Sequence, residues 1–448
     1  MSDLMISVSG IRGIFGSTMT AQTALTFAAN FGIFCNRGKI VIGRDSRTSG
    51  LAMFQAITAG LVSVGCDVID LGVVATPTTL LAVKELEAQG GISITASHNP
   101  PEWNAMKLVG SNGMFLFPDV ADEFKAVMSK GIKWADWQSL GKIYHDSSAI
   151  QRHIDKVLSI PYLDIEAIRK RNFRVVIDSV NGAGGLISPK LLEELGCEVI
   201  ELNSEPTGIF SHPAEPLNKN LGQLEQAVKE HKADLGFATD PDVDRLSIVS
   251  DEGKCIGEEL TVALAELFVL SKKSGDIVVN LSSSMISDHI ARQYGVKVHR
   301  TRVGEINIGK KMLEIQSPIG GEGNGGVICP EVHYTRDALA GMALVLGVLT
   351  DKNMKLSDLV ETLPKYYLYK AKIETVSSKI DVIMSKVPLY FEGLEIDMQD
   401  GVKAIGGNFW VHIRKSGTEP IIRVYVESDD PLKSEDFCRK TMAKLMAE

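Results

Sequence analysis

The chain is poor in several signals that would direct its reading elsewhere. Its six cysteines, Cys35, Cys66, Cys197, Cys255, Cys329 and Cys438, are scattered, and no two stand in CxxC spacing. That excludes a CxxC redox or metal motif and suits reduced thiols rather than a disulfide framework. The opening MSDLMISVSGIRG has no charged segment leading into an apolar one, so it does not read as a secretory leader. The longest apolar run, near Leu339 to Leu349, is interrupted by glycine and too short to span a bilayer. Basic residues are not in excess, and the formal net charge is -9. Nucleic-acid binding rests on basic patches that neutralise phosphates, so no nucleic acid is expected as partner. No heptads mark a coiled coil, and monomer or homodimer is the expectation. These absences describe a soluble, cytoplasmic chain with no membrane partner. A small anionic ligand stays open, because a local basic pocket can exist inside an acidic protein.

What is present is an ordinary globular composition of 448 residues, 44% hydrophobic and 23% charged, with room for two to four domains. Lys39 to Asp45, Cys66 to Gly72 and Gly91 to Ser97 read as strands, with helical periodicity over Ser49 to Val64 and Thr78 to Glu87. The pattern restarts at Arg174 to Ser179, with Ala233 to Asp240 as a later strand, and again at Asp276 to Ser282, with a helix near Ala338 to Leu349. Such alternation implies α/β layers. From about Tyr367 the order becomes strand, helix, strand, strand, helix, and the polar stretch Lys352 to Asp358 with the Pro364 region reads as linker. The expected fold class is α/β: three similar mixed-sheet α/β domains plus a smaller α+β C-terminal domain. The expected segments are 1–150, 151–254, 255–365 and 366–448. In open α/β sheets ligands sit outside strand ends, so the loops SHNP, DPDVDR and GEGNGG can face one central cleft.

Four motifs carry chemistry. In TASHNP, Thr95 to Pro100, a serine directly follows a buried strand. Alone, Ser97 reads as a strand-ending turn as readily as a nucleophile. No G-x-S-x-G elbow surrounds it, and neighbours on an extended chain point to opposite faces, which places His98 poorly as its base. In DPDVDR, Asp240, Asp242 and Asp244 alternate along one loop before Arg245. Oxygen donors without His or Cys suit a hard cation, Mg²⁺ or Ca²⁺. An EF-hand is excluded, because Arg245 stands where its glycine is required. A phosphatase with Asp240 as nucleophile is an imperfect alternative, since Asp244 departs from that signature. In GGEGNGG, Gly320 to Gly326, Glu322 and Asn324 can bond sugar hydroxyls. In RKSGTEPIIR, Arg414, Ser416, Gly417, Thr418 and Arg423 offer the forks, hydroxyls and backbone N–H groups that a phosphate dianion needs. Together the four compose a phosphoryl-transfer set, because such chemistry is mostly positioning and charge neutralisation.

In this order the motifs resemble the α-D-phosphohexomutase superfamily, and SGIRG (Ser9 to Gly13) and IGRDSR (Ile42 to Arg47) extend the resemblance over the whole chain. The resemblance implies a four-domain, heart-shaped protein. It implies Ser97 as the phosphorylated serine, one Mg²⁺ per chain on Asp240, Asp242, Asp244 and a phosphoserine oxygen, and Arg245 steadying that phosphate. Arg12 and Lys107 match positions near the reacting hydroxyl, with Lys107 as general acid/base. Glu322 and Asn324 fall on the sugar loop, and Arg414, Ser416, Gly417, Thr418 and Arg423 on the clamp for the other phosphate. The implied reaction interconverts hexose 6-phosphate and hexose 1-phosphate, with a hexose 1,6-bisphosphate as intermediate. Ala105, Asn324 and Glu305 depart from the commoner pattern and bear on the sugar. SGIRG and GEGNGG look most like phosphoglucosamine mutases. Glucosamine 6-phosphate is then the expected substrate, with Glu305 facing its C2 amine, and phosphomannomutase or phosphoglucomutase activity is the alternative.

Overall fold

The computed structural model describes residues 4–7, 10–374, 377–416 and 421–446. These form four sheets of seven, four, four and five strands. Three are mixed α/β sheets and the last, C-terminal one is wholly antiparallel and belongs to a smaller α+β unit, as the alternation of strand and helix periodicity predicts.

The first three sheets share one device. In the second, Arg174–Asp178 pairs in parallel with Glu198–Leu202 and Leu235–Thr239, and the chain then reverses into antiparallel Leu246–Ser250. In the third, Ile277–Asn280 pairs in parallel with Val298–Thr301 and Ile319–Glu322, and the chain reverses into antiparallel Gly326–Ile328. In the first, Gly90–Ile94 lies parallel to Ile40–Arg44 and reverses into antiparallel Trp103–Gly110. Each reversal is a loop at the carboxyl end of a parallel strand. These are the Ser97 loop, the aspartate loop and the Glu322 loop. The last sheet repeats the reversal between Phe409–Lys415 and Ile421–Ser428.

The second and third sheets share a core on one face, while their other faces pack smaller clusters of their own. One apolar cluster runs from Ile177, Phe237 and Ile248 to Ile277, Val279 and Val327, filled by the helices Glu258–Lys272 and Ala338–Lys352. A helix that is apolar on every side belongs in an interior. Ala338 to Leu349 are all buried, so the longest apolar run of the sequence is the beam between two sheets. Among the described residues no helix is long and apolar enough to cross a membrane.

Two expectations differ. The stretch read as linker contains a helix, Leu356–Glu361, whose Leu356 and Leu359 pack into the shared core. Two burials outweighed the polar composition around them. The C-terminal sheet also has two further short strands, Glu395–Asp397 and Val402–Ile405, too short to show an alternation of their own.

Leu344 is fully buried in the helix Ala338–Lys352. Leu344→Ala should cost about 2–5 kcal/mol by lost transfer energy and a cavity. Thermal unfolding followed by circular dichroism should show one transition of the shared core moving down by several degrees.

Candidate active site

The Ser97 loop is held from beneath by one arginine. Arg47 donates to the carbonyls of Ser97 and Asn99 at 2.6 Å, Pro100 at 2.7 Å and Trp103 at 3.0 Å. Its Nε pairs with Asp45 at 3.1 Å, and Asp45 also accepts the Thr95 hydroxyl, whose oxygen in turn accepts the Ser97 N–H. The loop therefore has no freedom to lie flat. Ser97 takes a left-handed backbone, φ 49°, which breaks the strand alternation and aims its hydroxyl at Asp240 Oδ2, 2.7 Å away. The same bend brings His98 Nδ1 to 3.4 Å from the Ser97 oxygen, so alternation does not keep the two apart as the extended reading expects. His98 is nevertheless a feeble base. Burial, then the cations Arg245 and Arg12, push its pKa down to about 2.

The aspartate loop is bent the same way. Val243, wholly buried, has φ 65°, a costly conformation for a β-branched residue. Its N–H donates to Asp240 O and its carbonyl accepts from Ala338 N–H. All three aspartates are buried, and one oxygen of each lies within 4.8 Å of the others. Their hydrogen bonds divide them in a regular way. Asp240 Oδ1 accepts the N–H groups of Asp244 and Arg245 at 3.1 and 3.2 Å, and Oδ2 faces the Ser97 hydroxyl. Asp242 Oδ2 accepts the Thr76 hydroxyl at 2.9 Å and the Lys107 ammonium at 2.8 Å, while Oδ1 makes no hydrogen bond. Asp244 Oδ2 accepts Arg336 at 2.5 Å, while Oδ1 makes none. Each carboxylate thus has one oxygen anchored by donors, while the other takes no hydrogen bond in Asp242 and Asp244 and meets the serine hydroxyl in Asp240. An all-oxygen donor set with orphaned buried oxygens fits a hard divalent cation.

The electrostatics agree. Burial, then the charges of Asp244 and Asp242, hold Asp240 well above the usual carboxylate range. Burial works the same way on Asp242, but Lys107 outweighs it and holds Asp242 low. For Lys107 burial disfavours the charge, and Asp242 and Asp244 outweigh it, so its pKa is raised.

Glu322 ends its strand beside the aspartate loop. Its Oε1 accepts Asn280 Nδ2 and Gly304 N–H, both at 3.0 Å, and its Oε2 accepts Arg336 at 2.8 Å and Asn324 at 3.3 Å. Gly325, at φ 84°, turns so tightly that its carbonyl accepts Leu246 N–H, which stitches this loop to the strand leaving the aspartates. Glu305 sits at the start of its helix and is taken by Arg336, whose Nε and Nη2 both lie 3.1 Å from Oε2. Its carboxylate is thus paired with an arginine where it lines the cleft.

A cleft of about 1270 Å³ opens over these groups, and Arg12, Ser97, Lys107, Arg245, Glu305, Glu322, Asn324, Arg414 and Arg423 all line it. Arg12 reaches Asn99 at 3.0 Å and Arg245 reaches Glu215 at 3.0 Å. In the last sheet Arg414 and Arg423 are direct cross-strand partners, with Lys372 next in the same row. Like charges abreast are unfavourable unless an anion answers them. Ser416 ends the row, its N–H on Ile421 O. Gly417 and Thr418, and Ser9 of the first motif, lie outside the described residues.

Sequence reasoning missed Arg336, Asn280, Thr76 and Glu215, and treated Arg47 only as part of a resemblance. The dipeptide Arg336-Asp337 after a buried turn was the available signal. Asp337 caps the helix Ala338–Lys352 and accepts the hydrogen bond of His153 Nε2 at 3.0 Å, and His333 Nε2 lies 3.3 Å from the same carboxylate oxygen. This second cluster of ligand-type residues is buried too. The Thr335 N–H donates to His333 Nδ1, which puts the ring hydrogen on Nε2 facing Asp337. It reads as a hydrogen-bonded clasp rather than a metal site.

Comparison with known proteins gives one answer. Four profiles match in succession: phosphoglucomutase/phosphomannomutase alpha/beta/alpha domain I over residues 4–133, domain II over 151–253, domain III over 257–367, and the C-terminal domain over 369–444. A phosphoglucomutase/phosphomannomutase of Thermococcus kodakarensis is 38% identical over 96% of this chain and 95% of its own length. A protein of the same organism named "Probable phosphoglucosamine mutase" is 36% identical over 96% of each. The crystal structure of a phosphoglucomutase/phosphomannomutase family protein from Burkholderia thailandensis is similar with TM-score 0.85 and 25% identity, over 99% of this chain and 98% of that one.

Two measurements check the site. The His98 ring should stay neutral between pH 5 and 8, since its pKa of about 2 lies far below that window; an NMR inflection near pH 6.5 would contradict the geometry. Arg47→Met leaves buried Asp45 unpaired and should cost ~3–5 kcal/mol in denaturant titration.

Proposed function

This chain belongs to the phosphoglucomutase/phosphomannomutase family and is a phosphohexomutase, and from that premise we propose that it moves phosphate between the 6- and 1-positions of a hexose with Ser97 as carrier. The observation that carries this reading is the Ser97 hydroxyl 2.7 Å from Asp240, at the edge of a three-aspartate cluster and in a cleft lined with cations. Asp240, Asp242, Asp244 and Ser97 would hold Mg²⁺, which when bound supplies charge neutralisation to the transferring phosphoryl group. Phospho-Ser97 gives its phosphoryl group to the free hydroxyl of a hexose monophosphate. A sugar O–P bond forms and the Ser97 O–P bond breaks; the Lys107 ammonium gives a proton to the departing Ser97 oxygen and takes up the proton of the sugar hydroxyl in its place. Arg245 and Arg12 steady the phosphoryl oxygens. The resulting hexose 1,6-bisphosphate turns over, and its other phosphate returns to Ser97.

Arg414, Ser416 and Arg423, with Gly417 and Thr418, grip the phosphate not in transit. Glu322 and Asn324 meet the sugar hydroxyls. Segments 1–150, 151–254, 255–365 and 366–448 each contribute one of the four loops. The cleft exceeds the ~300–1,000 Å³ of ordinary ligand pockets, which gives a bisphosphate room to turn. A phosphatase reading with Asp240 as nucleophile has little support. Its Oδ1 accepts two backbone N–H groups and its Oδ2 lies against the Ser97 hydroxyl.

For the sugar, glucosamine 6-phosphate is the first reading, supported by relatives named phosphoglucosamine mutase. A neutral hexose phosphate is the second, favoured by the pairing of Glu305 with Arg336, which already answers that carboxylate's charge.

Intact-protein mass spectrometry should find a single phosphate, lost in Ser97→Ala together with nearly all Mg²⁺-dependent isomerisation. Retained turnover in that variant would sink the phosphoserine mechanism. Comparison of kcat/KM for glucosamine, glucose and mannose 6-phosphates decides the sugar, and a clear preference for mannose or glucose overturns the first reading.

A further inference from the structure

We propose that Arg336 is a positioning residue that links the cation loop to the sugar loop, so that cation and sugar phosphate bind as one coupled event. The inference rests on the phosphohexomutase reading for what the two loops hold.

Arg336 sits where the second and third sheets meet, and one guanidinium serves three carboxylates. Nη2 donates to Asp244 Oδ2 at 2.5 Å, Nη1 to Glu322 Oε2 at 2.8 Å, and Nε to Glu305 Oε2 at 3.1 Å. Its own N–H donates to Glu305 Oε1 at 3.3 Å. Asp244 belongs to the cation loop, and Glu305 and Glu322 line the sugar side of the cleft. Only the planar fork of arginine can hold three partners in fixed directions; a lysine ammonium reaches fewer and without planarity.

The surroundings are shaped for this one conformation. The residue is 9% exposed. A Cβ on Gly326 would collide with Cδ and Cγ of Arg336, so that glycine clears the path of the stem. The next residue, Asp337, is fixed by the helix it caps and by His153, so the backbone at Arg336 cannot drift.

The hydrogen bonds also assign the direction of action. By occupying Asp244 Oδ2, Arg336 leaves Oδ1 as the oxygen without a hydrogen-bond donor. A sugar hydroxyl that draws on Glu305 or Glu322 competes for oxygens that Arg336 uses. It thereby changes how firmly Asp244 is held. Such coupling is reciprocal: the factor by which sugar shifts cation affinity is the factor by which cation shifts sugar affinity. Partners that orient a metal ligand typically account for 10–100-fold in affinity.

The test is calorimetric titration of the full chain with Mn²⁺, without and with saturating glucose 1-phosphate and, separately, glucosamine 6-phosphate. Wild type should take one Mn²⁺, with an affinity shifted by at least one of the sugar phosphates. Arg336→Lys keeps the charge and removes the fork. It should weaken Mn²⁺ about tenfold or more, raise KM for the sugar phosphate, and abolish the shift. Gly326→Ala, which displaces the stem with no change of charge, should move all three in the same direction, and it decides the matter if Arg336→Lys does not fold. Folded variants with wild-type Mn²⁺ affinity and an undiminished shift overturn the coupling alone, as does a wild type that binds both ligands independently. A wild type that takes up no Mn²⁺ overturns the cation site and the coupling together.

Discussion

Three carboxylates inside one short loop repel one another, and the rest of the molecule is organised around holding them there. Two unit charges 4 Å apart interact by about 4 kcal/mol at the effective dielectric of a protein site. That sum, taken over three pairs, would open an isolated loop. It is answered from three sides. The first sheet and its helices bring Lys107, Thr76 and the Ser97 hydroxyl. The loop's own backbone brings the N–H groups of Asp244 and Arg245. The third sheet brings Arg336. The meeting of three sheets at this point is therefore not incidental packing. The loop is stable because each sheet delivers a donor to it.

The local part of this was legible in the sequence, and the remote part was not. DPDVDR, TASHNP and GGEGNGG announce themselves because each is a short run whose residue types share one chemistry. Their position after strands followed from the switch between strand and helix periodicity, and the hairpin reversals supply the geometry behind it. Arg336, Thr76 and Asn280 are single residues far along the chain from the loops they serve, and only packing assigns them a partner. His98 is instructive in another way. It was set aside as Ser97's base on the ground of strand alternation. The left-handed Ser97 breaks that alternation, and what disqualifies the ring is the depressed basicity caused by its burial. Glu305 lines the cleft as the sequence reading expects, but the arginine that pairs with its carboxylate was not legible there.

The C-terminal sheet follows a different rule from the other three. It brings Arg414 and Arg423 side by side with Lys372, so that three cations share one row although Asp400 and Glu374 answer two of them. Positive charge stored on a β-surface suits a dianion that must be gripped and released in either of two orientations, because it reads charge and geometry rather than the sugar between the phosphates. The first three loops are fixed by hydrogen bonds to one another. The last sheet meets the third through its strands, with Lys403 donating to Leu281 O and Glu427 accepting from Met285 N–H.

The helix Ala338–Lys352 fills one apolar interior for two sheets. In terms of folding units, the chain then has fewer cooperative parts than sheets. Opening of the second sheet on its shared face exposes the core of the third as well, so the two are coupled in their larger openings. Slow exchange of the Asp240 loop and the Glu322 loop should rise and fall as a pair. The first and last sheets keep the freedom to exchange on their own schedules.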